Sequence, residues 1–258
     1  MSSSSLLDYL ASSRVRKNVL YRLLEGSLSL KELCGAFNTS PSSIIPRLKE
    51  LESIGLICKE DGKYCLTFTG VEAAKKLIQT ERVFGLLERY PDFFNVHDLS
   101  VVPENLLDRL DVLGECRLVQ NSLDSVNATW EVVERLEGSS SLAGISPMFD
   151  SRLPGIILSI ARRGTPLSII LTRSIYEKVA SGYKNDLREF LSCENARLYV
   201  IGEARLALVV TDSFLALSLF KGDGFDAQTS LMSREKSALK WGEELFEYYK
   251  QGAMEIKP

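Results

Sequence analysis

The chain has 258 residues, 45% of them hydrophobic, with 31 Lys/Arg against 34 Asp/Glu and a formal net charge of -3. That is enough apolar content for more than one core, and the slightly acidic balance excludes a uniformly basic nucleic-acid binder. No apolar run reaches the roughly 18 residues of a membrane span. The five cysteines lack zinc spacing, and the Met-Ser-Ser-Ser-Ser start has no basic export region. The expectation is a soluble, cytoplasmic protein with no metal, cofactor or membrane partner.

Charge is uneven along the chain. Residues 1–90 hold 13 Lys/Arg against 10 Asp/Glu, and residues 91–258 hold 18 against 24. A basic front and an acidic back are consistent with a nucleic-acid partner for the first part.

Leu6, Leu7, Leu10, Val15, Val19, Leu20, Leu23 and Leu24 recur at helical spacing. They predict two helical pieces broken near Ser12-Ser13, with Ser13 as a cap and Gly26 as the stop. Ser29, with Glu32 three residues on, has the form of a capping box, and Leu30, Leu33 and Phe37 give the following helix one apolar face. Thr39 or Ser40 caps the next helix, with Pro41 in its first turn, where the missing N–H costs nothing. There Ile44, Leu48 and Leu51 fall at i, i+4 and i+7 and are expected to face a core. Ser40, Ser42, Ser43, Pro46, Arg47 and Lys49 are left for the other faces. Pro46 removes one intrahelical bond and predicts a kink or a shifted helix start.

Asp61-Gly62 is a two-residue hairpin turn. It pairs Glu60 with Lys63, Lys59 with Tyr64, and Cys58 with Cys65. The cysteines then become cross-strand neighbours, expected as reduced small hydrophobes in a cytoplasmic protein. Helix, turn, helix and hairpin within residues 28–67 outline a winged helix-turn-helix, whose second helix enters a major groove with its amino end leading. Ser42 and Ser43 allow close approach there, and Arg47 is long enough for phosphate or a base edge. Lys59, Lys63 and Tyr64 at the hairpin tip are placed for the DNA backbone or minor groove. The expected partner is double-stranded DNA.

Thr69 is expected to cap a long helix from Val71 to about Arg89. Its Val71, Ala74, Leu77, Ile78, Val83, Phe84 and Leu87 give more apolar surface than a small domain covers, so the helix is expected to pair with its copy in a homodimer. Residues 91–103 read as irregular, with the sole histidine, His97, in a linker or surface role, and a short helix opens at Pro103.

Beyond this, strands and helices alternate. Strands are expected at Glu115–Gln120, Ser141–Ser146, Leu167–Thr172, Arg197–Ile201, Leu206–Thr211 and Phe214–Phe220. Helices are expected at Val126–Leu136, Leu153–Arg163, near Ile175–Ala180, at Asn185–Leu191 and Glu235–Lys250. This pattern is that of an α/β domain with a mixed sheet, and no Gly-rich phosphate loop follows any strand. In open sheets, ligands collect at the carboxyl ends of strands. Ser146 and Thr172 stand at two such ends, Arg173 is placed to neutralise an anionic ligand, and Asp212, Asp226 and Gln228 are further polar candidates for a small-molecule effector. Gly242 inside the last helix costs about 1 kcal/mol relative to Ala, which points to close packing with Trp241 against the sheet. No converging triad, carboxylate pair or zinc set is read, so an enzyme is not expected.

The segments Ala207-Leu-Val-Val-Thr-Asp-Ser-Phe-Leu-Ala-Leu-Ser-Leu-Phe, Phe225-Asp-Ala-Gln, Ala238-Leu-Lys-Trp-Gly-Glu-Glu-Leu-Phe-Glu-Tyr-Tyr and Ile145-Ser-Pro-Met-Phe-Asp150 resemble archaeal winged-helix regulators of the methanogenesis regulatory type. The resemblance covers roughly residues 8–251. The amino-terminal part is similar to the winged helix of the arsenical-resistance repressor family. The resemblance implies a DNA-binding regulator of a methanogenic archaeon with an effector-sensing or regulatory domain.

The fold expected is therefore multidomain α+β and α/β. Residues 1–90 form the winged helix-turn-helix with its dimerisation helix, 91–112 a linker and short helix, and 113–258 the α/β effector-sensing or regulatory domain with a mixed β-sheet. The alternatives are a winged-helix protein–protein adaptor without base reading and a small-molecule enzyme with a DNA-binding appendage.

Overall fold

The computed structural model describes residues 5–120, 135, 136 and 138–257. Two compact units emerge, Met1–Arg82 and Val83–Pro258.

In the first unit, Ser5 and Ser13 cap two short helices, α1 (Leu6–Ala11) and α2 (Arg14–Leu24). A two-residue strand β1 (Leu28–Ser29) leads into α3 (Leu30–Phe37), closed by the capping box of Ser29 with Glu32 and ended by Asn38 at φ 46°. Then follow α4 (Pro41–Ser53), β2 (Ile57–Glu60) and β3 (Lys63–Leu66). β3 lies between β1 and β2, antiparallel to both. Asp61 and Gly62 both have positive φ, 49° and 79°, as a tight primed turn requires. The observed hairpin register is the expected one, Cys58 opposite Cys65 included. Ile44, Leu48 and Leu51 are buried with Val19, Leu20, Leu33, Leu56 and Ile57. Helix, turn, helix and wing around this core form a winged helix-turn-helix.

α5 (Phe68–Arg89) is longer than predicted at its start, because Thr67, not Thr69, caps it: the Gly70 N–H donates to Thr67 Oγ1 at 3.1 Å. The division between the units falls inside this helix. Residues 91–112, expected as a linker and short helix, hold that short helix and also help build the second unit's core. They carry α6 (Pro91–Val96) and α7 (Glu104–Leu107), and Phe93, Val102 and Leu106 are each at most 3% exposed.

The second unit continues with β4 (Arg117–Gln120), β5 (Leu142–Ser146), α8 (Leu153–Arg162), β6 (Leu167–Thr172), α9 (Arg173–Gly182), α10 (Lys184–Ser192) and β7 (Ala196–Ile201). It closes with β8 (Leu206–Thr211), β9 (Leu215–Lys221), β10 (Gly224–Phe225), β11 (Thr229–Ser233), α11 (Lys236–Gln251) and β12 (Met254–Ile256). The helix expected at Val126–Leu136 falls, except for its last two residues, outside the described residues.

The sheet runs β12-β7-β6-β5-β8-β9-β11-β4, with β10 paired to β9. β5, β6 and β7 are parallel and joined through helices; the other pairings are antiparallel. Period-two alternation sorts side chains to two covered faces. Ile145, Leu206, Leu208, Val210, Leu215 and Leu217 pack with α11 and the 91–113 segment. Leu142, Leu167, Leu198, Ala216 and Met232 pack with α8 and α10. Trp241 is fully buried on the first face and donates from Nε1 to Leu106 O at 2.9 Å. A Cβ built on Gly242 would stand 2.2 Å from Leu215 Cδ1 and 2.7 Å from Val210 Cγ2, so the glycine admits the sheet to contact distance, as its position next to Trp241 suggested.

Candidate functional site

The exposed front of α4 is built by what its back must do. With Ile44, Leu48 and Leu51 buried, Ser42, Ser43, Pro46 and Lys49 are left fully on the open side. Ser40 is the N-cap residue, but its Oγ makes no bond to the helix backbone; it lies 2.9 Å from Ser42 Oγ and 3.0 Å from Ser43 Oγ. Three hydroxyls thus cluster at the helix amino end, where Pro41 has no N–H and the Ser43 N–H donates to Ser40 O at 3.1 Å. Pro46 sits inside α4 on the exposed side, and the helix runs through it from Pro41 to Ser53. Of the two expected outcomes, a kink or a shifted start, the shifted start does not occur, since α4 begins at Pro41; the carbonyl that loses its N–H partner is that of Ser42, which sits in the exposed first turn.

Arg47 is held back from the front. Its Nη1 donates to Glu50 Oε1 at 2.7 Å, and Glu50 also accepts from Tyr9 Oη at 3.0 Å and Arg16 Nε at 3.1 Å. Desolvation raises the Glu50 pKa, but hydrogen bonds from Tyr9 and Arg16 and the charges of Arg47 and Arg16 outweigh it and hold the carboxyl below its usual range.

On the wing, Lys59 and Lys63 are exposed. The register places them on opposite faces of the hairpin. Tyr64 is a correction: it is only 9% exposed and joins the first unit's core, because it pairs with Leu28 of β1 on the inner side of the small sheet. Its ring is unavailable to DNA.

Cys58 and Cys65 bring their sulfurs to 2.8 Å. The hydrogen bond from Cys58, then burial and the charges of Cys58 and Glu60, push the Cys65 thiol up to about 11. With Glu60 they form a group of three candidate metal donors within 4.8 Å, one short of a closed tetrahedral site. Cross-strand register creates this cluster, and ligand-spacing patterns along the chain do not reveal it.

The second candidate is a cavity of about 220 Å³ between the sheet and α8, α9 and α10. Its floor is the sheet face that carries Gly144, Ala207, Ala216, Ser218 and Ser230, and its walls include Leu153, Ile157, Ile175, Leu187 and Phe190. Ser146 lines it, with its hydroxyl donating to Met148 O at 2.8 Å. The other polar residues expected at a ligand site do not converge on it. Thr172 is 7% exposed, with Oγ1 3.3 Å from Ser174 Oγ, and Arg173 is exposed at the start of α9. Asp212 accepts from the Ser140 N–H at 3.0 Å. Asp226 accepts from the Gln228 N–H at 2.8 Å and lies 3.0 Å from His97 Nε2, while Gln228 itself is exposed.

The physical reason is that the open space lies over the face of the sheet, where side chains are small, and only Ser146 belongs both to that face and to a strand end. His97 is also corrected. It is buried, with Nδ1 2.8 Å from Phe93 O, and serves as a strut between α6 and the β10–β11 turn.

Two family models match the chain: "Methanogenesis regulatory protein FilR1, N-terminal domain" over residues 4–83, and the middle domain of the same protein over 127–252. The methanogenesis regulatory protein FilR1 of Methanothrix harundinacea (strain 6Ac) is 32% identical over 95% of this chain, which spans 57% of that relative's length. Among solved structures, TrmBL2, an archaeal chromatin protein, aligns at TM-score 0.46 and 18% identity over 92% of this chain and 91% of its own. The phospholipase D family member Nuc of Salmonella typhimurium aligns at TM-score 0.40 and 8% identity over 55% of this chain and 98% of its own. Scores this low mark general likeness only. With an amino-terminal and a middle domain model of the same protein matched in order over residues 4–83 and 127–252, the chain belongs to the methanogenesis regulatory protein family, of which it carries the amino-terminal and middle domains.

Proposed function

We propose that this chain is a DNA-binding transcriptional regulator. It reads DNA with α4 and the β2–β3 wing as a homodimer, and a small molecule held by the second unit controls it. The observation that carries the reading is the division of α4: Ile44, Leu48 and Leu51 are sealed in a core, while Ser42, Ser43, Pro46 and Lys49 face outward, and Lys59 and Lys63 of the wing are exposed. Small hydroxyl residues at a helix amino end suit close approach in a major groove, and lysines on a wing suit phosphates. Arg47 reaches DNA by exchanging Glu50 for a phosphate or guanine edge. The exchange costs little, since a solvent-exposed ion pair is worth about 0–1 kcal/mol. Similarity to a protein named as a regulator supports the transcriptional part.

The dimer rests on α5. Ala74 and Leu77 are buried in its first half, whereas Phe84 is 62% and Leu87 36% exposed. Light scattering behind size exclusion is expected to give a dimer at micromolar concentration, and a monomer there refutes this part.

Footprinting of purified protein on promoter fragments tests the DNA reading. Protection of paired half-sites about one helical turn apart is expected; sequence-independent protection, or none, favours an adaptor. Arg47→Ala should weaken specific binding by about 1–3 kcal/mol and relax base preference at one position. Unchanged affinity and preference would remove Arg47 from the reading head.

A further inference from the structure

Building on the reading of the second unit as a ligand-binding module, we propose that its cavity takes an uncharged, mainly apolar small molecule carrying one hydroxyl or carbonyl group. Size sets the first limit. At about 220 Å³ the space exceeds the roughly 150 Å³ apolar cavity that takes benzene, so it holds a six-membered ring with a short substituent.

Charge sets the second. Among the described residues no Lys or Arg lines the cavity, and residues 121–134 contain none in their sequence. The two carboxylates among its described lining residues are already compensated. Asp150 is held by Arg152 through Nε at 3.0 Å and Nη2 at 2.5 Å, an interaction that keeps its carboxyl below the usual range. Asp186 lies in the first turn of α10, where the helix dipole favours negative charge. An anionic ligand would be desolvated with no counter-charge, and a cationic one would have to compete with Arg152. Arg173, the residue expected to meet an anion, is exposed at the start of α9 and absent from the described lining.

The third limit is hydrogen bonding. Ser218 and Ser230 are cross-strand neighbours on the cavity floor, with oxygens 2.6 Å apart. Neither has another side-chain hydrogen bond among the described residues. One hydroxyl donates to the other, which leaves one O–H and spare lone pairs for a ligand. Ala207, directly opposite Ser218, provides the room beside them, and Gly144 on β5 extends it: a Cβ there would sit 3.3 Å from Ile169 Cδ1, and any longer side chain would occupy the cavity.

The test uses the full chain and four compounds on one skeleton: cyclohexylmethanol, methylcyclohexane, cyclohexanecarboxylate and cyclohexylmethylammonium, titrated by ligand-observed NMR. The alcohol is expected to bind at least tenfold more tightly than either ion. Equal or tighter binding of an ion, or no binding of the alcohol up to its solubility, overturns the proposal. Ser218→Ala should weaken the alcohol several-fold and leave methylcyclohexane unaffected; an unchanged alcohol affinity removes the serine pair from the site. Ala207→Leu should fill the floor and weaken both neutral compounds at least tenfold, with the melting temperature showing whether the variant is folded. Operator affinity is measured with and without saturating alcohol. Binding of the alcohol without any change in operator affinity upholds the ligand class and overturns control of DNA binding by this site.

Discussion

Between Ser40 and Lys63 the candidate groups are side chains that are present. Apart from Pro46 they are polar, apart from Arg47 they project outward, and they lie close together in the chain because one helix and one hairpin carry them. In the second unit the candidate site is made of side chains that are missing. Gly144, Ala207, Ala216, Ser218 and Ser230 come from four strands, and only sheet register makes them neighbours. The first kind of site is a property of local sequence. The second is a property of pairing, and it exists only because the rest of that sheet face is filled by residues such as Leu142, Leu198 and Met232.

The two faces of the large sheet give the strongest test of this contrast. On the α11 face there is no room at Gly242, where a Cβ would overlap Leu215 and Val210. Gly242→Ala should cost about 1–3 kcal/mol net of its helix-propensity gain. Both tryptophans, at positions 130 and 241, lie beyond the first unit, so a urea melt followed by tryptophan fluorescence reads the second unit alone. Ala207→Leu on the cavity face should be neutral or stabilising in the same melt. Equal destabilisation by both would mean that the cavity is not usable space.

A smaller effect separates polar residues that hold the fold from those available to a ligand. Asp226→Ala removes the partner of buried His97 and should cost about 1–3 kcal/mol at neutral pH. In the folded protein, desolvation raises the Asp226 pKa, but hydrogen bonds from Gln228, Thr229 and His97 and the electrostatic pull of His97 outweigh it and hold the carboxyl below the usual aspartate range. A group whose folded pKa is depressed contributes stability that is present above the unfolded value and lost as pH falls through the folded one. The wild-type chain should therefore lose this contribution below about pH 4, and the variant's acid limb should be correspondingly flatter. Urea melts at several pH values check both; an identical pH dependence would show that the carboxylate does not stabilise the fold.

What could be read in advance follows the same line. The capping box at Ser29, the Asp61-Gly62 turn and the Ile44–Leu48–Leu51 seam are local signals, and each appears where expected. Leu167–Thr172 and Leu206–Thr211 are continuous apolar runs and form strands with those bounds. β11 escaped because Thr229-Ser-Leu-Met-Ser is short and hydroxyl-rich and reads as loop, yet its Ser230 reaches the cavity and its Ser233 Oγ donates to Leu113 O at 2.7 Å. The burial of Tyr64 was invisible because its partner Leu28 lies 36 residues away on a two-residue strand. Ser146, at the end of β5, lines the cavity. Thr172 and Arg173 met the same strand-end rule but lie where the sheet face offers no space.

The smallest effect in stability is the most specific to the surface site. Lys59→Ala and Lys63→Ala remove exposed side chains and should each change stability by less than about 0.5 kcal/mol. If both lysines contact phosphates, each substitution should lower the slope of log affinity against log salt by about 1, uniformly across sequences. The two lysines sit on opposite hairpin faces and share no partner among the described residues, so their effects should add within about 0.5 kcal/mol. Substitutions across the cavity floor should not add, since Gly144, Ala207 and Ser218 share one volume. A slope change from Lys59→Ala alone would mean that only one face of the wing meets DNA, and it would fix the side from which the wing approaches the duplex.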